Sequence, residues 1–97
     1  MLITTTPEIS GKTITEYKGI VFGEEVGTRA GSMGFNIQKN MLAFENMMAA
    51  VKQNALNKLI FNAEQCGANA IVGTSFAVSF DSASIVVSAT GTAVIVE

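Results

Sequence analysis

The feature that most constrains this chain is one long segment with a helical period. Between residues 42 and 66, apolar side chains recur at steps of three and four, so they share one face of a helix. Asn40 is a suitable N-cap, Glu45 would lie in the first turn, and Gly67 supplies the positive φ that commonly ends a helix. We therefore predict a helix of roughly 35 Å, at ~1.5 Å per residue. Its apolar stripe consists of Phe44, Met48, Val51, Ala55, Leu59, Ala63 and Cys66, widened by Met47, Leu56 and Ile60.

The rest of the chain has patterns typical of β-strands and turns. Residues 1–6 are rich in β-branched side chains and predict a short strand, which Pro7 ends. Residues 23–40 carry four glycines and predict a loop, with a helical turn near 35–39. Alternation of apolar and polar residues predicts three longer strands, at 13–22, 70–80 and 84–96, the last two joined by a turn at 81–83.

This order of elements predicts an α+β fold in a single domain over residues 1–97. The subunit would be β-α-β-β, with a three-stranded antiparallel-type sheet in the order 1-3-2. One long helix would cover one face of that sheet. The short N-terminal strand would be present besides these three strands. Gly91 lies in the middle of the last strand, where a bulge or a close approach of a neighbouring backbone is the usual reason for a glycine.

The composition predicts self-association. Apolar residues make up 48% of the chain and charged residues only 14%, against a typical ~25% charged. A domain of 97 residues buries only about two thirds of its unfolded surface. No apolar run approaches the ~18 residues of a membrane helix. We therefore expect an obligate homo-oligomer, with Gly91, Val94 and Val96 at assembly positions, and we expect Gly91→Val to break the mid-strand bend and the assembly.

Several classes of partner are not expected. The net charge is −2 and the six basic residues are dispersed, so the chain has no basic patch for nucleic acid. A single cysteine predicts no internal disulfide and fits the reducing cytoplasm. No signal-peptide pattern opens the sequence, and nothing in it predicts a cofactor.

Four sequence blocks resemble the YbjQ-like family of small bacterial proteins, whose label is heavy-metal binding. The blocks are ITTT at 3–6, EYKGIVFGE at 16–24, CGANAIVG at 66–73 and VSATGTAVIV at 87–96. The resemblance implies a dodecin-like β-α-β-β subunit that assembles as a homopentamer through strand additions between neighbours. The chain differs from that family at 27–40, which looks contracted, and in its main helix, which lacks the family's many Glu and Arg residues.

Metal binding has one weak candidate, Cys66, since the chain has no histidine and no second cysteine. The favoured interpretation of Cys66 is a small buried hydrophobe on the helix stripe. A metal role would need Cys66 from several subunits to meet at a symmetry axis, with Met47 or Met48 as soft partners. Met41, Met47 and Met48 at helical spacing more often indicate core packing.

An anion site is the other weak candidate. Arg29 and Gly31 lie in a glycine-rich segment whose amides could form a nest, although a flexible connector is the favoured interpretation. The usual acid-base and nucleophile pairs are missing, so we do not expect an enzyme. The composition therefore predicts a homo-oligomer that acts as a structural or assembly domain, and the resemblance implies that this oligomer is a pentamer. The alternative is a module that binds a metal or small ligand at subunit junctions.

Overall fold

The computed structural model describes residues 1–28, 37–80 and 84–97. Within these residues it contains four strands and one helix, and no helix long and apolar enough to cross a membrane. The elements in chain order are β1 (Leu2–Ile3), β2 (Ile14–Thr28), α1 (Ile37–Gln65), β3 (Ala70–Phe80) and β4 (Ser84–Val96).

The strands form one mixed sheet in the order β1-β3-β4-β2. The predicted α+β class is confirmed, but the prediction of three strands is wrong, because β1 joins the sheet as a fourth strand parallel to β3. Strand β4 lies between β2 and β3 and is antiparallel to both. The chain after β1 keeps contact with β3: the amide of Thr4 donates to Ile71 O at 2.9 Å, and the amide of Gly73 donates to Thr6 O at 2.8 Å.

Strand β2 is longer than its sequence pattern predicts. It continues through residues 23–28, which we expected to be loop, and stays paired with β4 as far as Thr28 and Ser84. Gly23 explains the difference, because it is buried against the helix rather than placed in a turn. A Cβ atom at Gly23 would overlap the backbone carbonyl of Ala55 in α1. The glycine is therefore a point of close approach between helix and sheet.

Helix α1 begins earlier than predicted, at Ile37, and ends at Gln65. Asn40 is therefore inside the helix and is not its N-cap, and Glu45 lies beyond the first turn. The predicted C-terminal end is confirmed. Gly67 has φ of 82°, and the amide of Ala68 donates to the carbonyl of Ala63 at 3.1 Å, which is the hydrogen bond of a Schellman motif.

The main core lies between α1 and the sheet face that it covers. Four buried residues of this core follow each other along the helix at steps of four. Three of them, Val51, Ala55 and Ala63, have small side chains, so the helix and the strands come close together. On β4 every second residue from Ile85 to Ala93 faces this core. The buried residues are Val21, Val51, Ala55, Leu59, Ala63, Ala68, Ile71, Ile85, Val87, Ala89 and Ala93.

The sheet face opposite α1, here called the second face, is covered at one end only. Ala70, Val72, Val94 and Val96 are buried there, with Ile9 and Ile14 packed against them. The chain's own N-terminal segment thus supplies part of the cover that we expected from another subunit. Farther along the same face, large apolar side chains of β2 are exposed, and these are Tyr17, Ile20, Phe22 and Val26.

The irregularity predicted at Gly91 lies opposite it, in β3. The pairing of β3 with β4 shifts register between Val72 and Ser75, and Thr74 within this bulge is buried with no hydrogen-bond partner for its hydroxyl in the described part of the chain. A Cβ atom at Gly91 would lie 2.5 Å from Ile71 Cγ2. The close neighbour is thus a side chain of the same subunit, so Gly91 protects the subunit's own core.

We expect Gly23→Ala to destabilise the subunit by about 1–3 kcal/mol, because the added methyl meets the fixed backbone of α1. Gly27→Ala is the matched control: the same change on the same strand meets the side chains of Val51 and Ile85, which can move. Urea denaturation followed by circular dichroism measures both free energies of unfolding. An equal or larger loss for Gly27→Ala would contradict the close approach at Gly23.

Candidate functional site

A groove lies where the outer edge of β2 meets α1. Phe22 and Phe61 are exposed residues in its lining, and the alternation of β2 directs the Phe22 side chain to the second face, away from α1. The groove has a volume of about 640 Å³, within the ~300–1,000 Å³ range of ligand pockets. We call it the aromatic groove, and its lining residues are Phe22, Gly23, Glu24, Asn57, Lys58, Phe61 and Asn62.

Helix side chains cap the backbone of β2 along this groove. Asn62 Nδ2 donates to Phe22 O at 2.6 Å, and Lys58 Nζ donates to Glu24 O at 2.9 Å. Lys58 also forms an ion pair with Glu25 at 2.7 Å. These two carbonyls would otherwise be free to accept hydrogen bonds from an added strand. The strand edge along this groove is therefore capped by side chains of the same chain and is not open to an added strand.

The opposite edge of the sheet has a different character. Beyond Thr74, none of the described strands pairs with the outer edge of β3. Phe76, Val78 and Phe80, here called the β3 stripe, lie opposite Ala89, Val87 and Ile85 and so point to the same side of the sheet as α1.

The helix leaves the β3 stripe largely uncovered. Phe76 and Phe80 are 48% and 59% exposed, and Val78 is 37% exposed. Within the described residues, the aromatic contact is between Phe80 and Phe44 of α1, with ring centroids 6.2 Å apart. No residue of β3 is charged. The stripe is therefore an apolar strand edge without the charged side chains that usually protect such edges.

Cys66 is exposed, so its assignment to the core is wrong. The helix ends at Gln65, and the chain turns at Gly67. This turn carries Cys66 off the buried stripe, and its Sγ lies 3.3 Å from Asn62 O. Among the described residues there is no group of three or more His, Cys, Asp or Glu side chains that could hold a metal ion. The donors described in one chain therefore do not form a chelating site.

The structure describes only some of the other predicted site residues. Arg29 and Gly31 lie outside the described residues, as does the turn at 81–83. Val94 and Val96 are buried beneath the N-terminal segment of their own chain, so the surface they would offer to a partner is already covered.

The methionines divide between core and surface. Met47 and Met48 are half-buried and pack against the main core, as predicted, whereas Met41 is 60% exposed.

The sequence analysis missed the aromatic groove. Phe61 lies off the apolar stripe, among the polar residues Lys58 and Asn62, and an isolated aromatic residue on a polar helix face is the signal that indicates it. The position of β2 beside Phe61 had no such signal, because it depends on how α1 crosses β2.

The fold and these surfaces define a small α+β protein with one helix, a mixed four-stranded sheet and one apolar, uncharged sheet edge. The YbjQ-like family model, described as "putative heavy-metal-binding", matches residues 1–97, and the chain belongs to this family. This confirms the resemblance found in the four sequence blocks.

Relatives of known sequence extend over the whole chain. A UPF0145 protein of Actinobacillus pleuropneumoniae serotype 5b is 39% identical over 111 residues, covering 99% of both chains. A UPF0145 protein of Clostridium botulinum strain Alaska E43 is 36% identical over 112 residues, covering 100% of both. Both alignments exceed the 97 residues of this chain, so these relatives carry residues that it lacks.

A solved structure shares the fold. The crystal structure of a protein of unknown function from Pediococcus pentosaceus, of the DUF74 family, has a TM-score of 0.73 and 22% sequence identity. The similarity covers 100% of this chain and 98% of that one.

We expect the thiol of Cys66 to react with a disulfide reagent such as Ellman's reagent in the folded protein, because the side chain is exposed. The measurement is the amount of thiol titrated with and without urea. Equal amounts, and none from Cys66→Ser, are the expected result. A thiol that reacts only in urea would place Cys66 back in the core.

Proposed function

We propose that this protein acts as a self-assembling module, and that its apolar edges are the surfaces through which copies of the chain associate. The observation that carries the proposal is the exposed apolar surface. The described residues expose large apolar side chains on the second face, on the β3 stripe, at the N-terminus and on α1, whereas monomers rarely expose large contiguous apolar patches. The side chains are Met1, Leu2, Tyr17, Ile20, Phe22, Val26, Met41, Leu42, Phe61, Phe76, Val78 and Phe80.

The shape of the subunit supports the same proposal. Its extents are 55 × 22 × 16 Å, so it is elongated and has little interior for its length. The β3 stripe is largely uncovered by α1, and the second face is open beyond its N-terminal cover. Contact with a second copy would remove these surfaces from water.

A homopentamer is the assembly that the family resemblance implies, and we adopt it as the proposed state. A catalytic role is not part of the proposal, because the chain has no histidine for acid-base work near neutral pH.

We expect native mass spectrometry of the purified protein to give five chains of 10.2 kDa, a complex of about 51 kDa. Sedimentation velocity over a hundredfold range of micromolar concentration should give the same species, because the apolar surfaces stay buried. A single chain throughout that range would refute self-assembly. A stable complex with another subunit number would refute only the pentamer.

Heavy-metal binding is the second candidate, and the exposed thiol of Cys66 is the observation that favours it. The described donors of one chain do not chelate a metal, so thiols from several copies would have to share one ion. The heavy-metal-binding description of the family also supports this candidate.

The test of the second candidate is native mass spectrometry after incubation with zinc(II) or copper(I) and removal of free metal. Metal binding predicts fewer ions than chains in each complex, because one ion takes several thiols, and loss of these ions in Cys66→Ala. Equal metal retention by the wild type and Cys66→Ala would refute it.

A further inference from the structure

We propose that Lys58 and Asn62 form a guard on the outer edge of β2, which prevents another β-strand from pairing with this edge. The guard is built into the single chain and does not depend on the proposed self-assembly. It consists of the two helix side chains that an extended peptide segment would have to displace before it could join the sheet at β2.

Strand β2 is an edge strand that needs protection. It is the longest of the described strands, with 15 residues, and it lies at one end of the sheet order. Its pairing with β4 uses the backbone groups on one side of the strand only. The outward backbone groups of a long edge strand are ready partners for a strand of another chain. Without cover, β2 would therefore be a template for strand addition.

The two guard side chains occupy successive outward carbonyls of this strand. Phe22 and Glu24 are two residues apart, so their carbonyls point to the same side of β2. Asn62 Nδ2 donates to the carbonyl of Phe22 at 2.6 Å, and Lys58 Nζ donates to the carbonyl of Glu24 at 2.9 Å. An added strand would need the same two carbonyls to accept its amide hydrogens. Both side chains would therefore have to leave before the added strand could pair.

Two further contacts hold the guard in place. Lys58 Nζ lies 2.7 Å from a carboxylate oxygen of Glu25, which alternates to the α1 side of β2. Leu59, the next residue of the helix, is buried against Gly23, so the helix backbone is fixed beside the strand. A lysine charge at a sheet edge also opposes the approach of an apolar strand. The guard thus combines occupied carbonyls with a charge that a partner strand would have to displace.

The first experiment removes the guard and leaves the core residues unchanged. Lys58→Met and Asn62→Leu are combined, because both substitutions remove the hydrogen-bond donor and keep good helix formers. The matched control is Lys52→Met combined with Asn54→Leu, the same two changes at exposed positions of the same helix. Sedimentation velocity and thioflavin T fluorescence are measured over a concentration series and compared with the wild type, whatever its own subunit number.

We expect the guard variant to form species heavier than the wild type that bind thioflavin T. These species should appear at a protein concentration about tenfold or more below that of the control variant, because an added strand no longer has to break two hydrogen bonds. A guard variant with the same mass and the same concentration dependence as the control overturns the proposal.

Hydrogen exchange then locates the new contact. In the heavier species, the amides of residues 20–26 should exchange more slowly than in the wild type, because an added strand covers the edge of β2. Slower exchange that is confined to β3 would show that the strands pair elsewhere, and it overturns the proposal.

Single substitutions serve if the guard variant is not folded by circular dichroism. Lys58→Gln and Lys58→Arg both keep a long side chain, but only arginine keeps the charge that pairs with Glu25. We expect more of the heavier, thioflavin-binding species from Lys58→Gln than from Lys58→Arg. Equal amounts from the two variants overturn the proposal.

Discussion

The close contact between α1 and the backbone of β2 determines most of this structure. Because Gly23 has no side chain, the helix backbone comes against the strand at Ala55 and Leu59. The helix is thereby held over β2 and β4, with little cover for β3. One helix does not cover the whole width of the sheet, so its position determines which apolar side chains are buried and which remain exposed to water.

That position also makes the two sheet edges chemically different. Near β2, the helix is close enough for Lys58 and Asn62 to reach the strand's outward carbonyls. Along the far half of β3, no described helix side chain reaches the strand's carbonyls in this way. This edge is therefore apolar and uncharged. Edge strands in stable monomers are normally protected by charge, proline or a covering element. Contact with a second copy of the chain would protect the β3 edge in the same way. The proposed function is based on this property of the fold.

The exposure of Cys66 changes how the family description applies to this chain. A buried thiol would have been inert packing, whereas an exposed thiol beside the helix end is accessible to metals and oxidants. Yet one thiol is not a chelating site, and the described residues around it add no cluster of donors. A metal site built on Cys66 would therefore require an assembly that brings several such thiols together.

The sequence by itself determined the elements whose signals are local. The period of the apolar residues gave α1, the alternation gave β3 and β4 with their bounds, and Gly67 marked the end of the helix. The tertiary structure decided what depends on contacts distant in sequence. Residues 23–28 became strand because β4 and α1 pair and pack there, and Lys58 and Asn62 reach the carbonyls of β2 because the helix crosses that strand at Gly23. Local propensity contains no information about either contact, because each joins segments twenty or more residues apart.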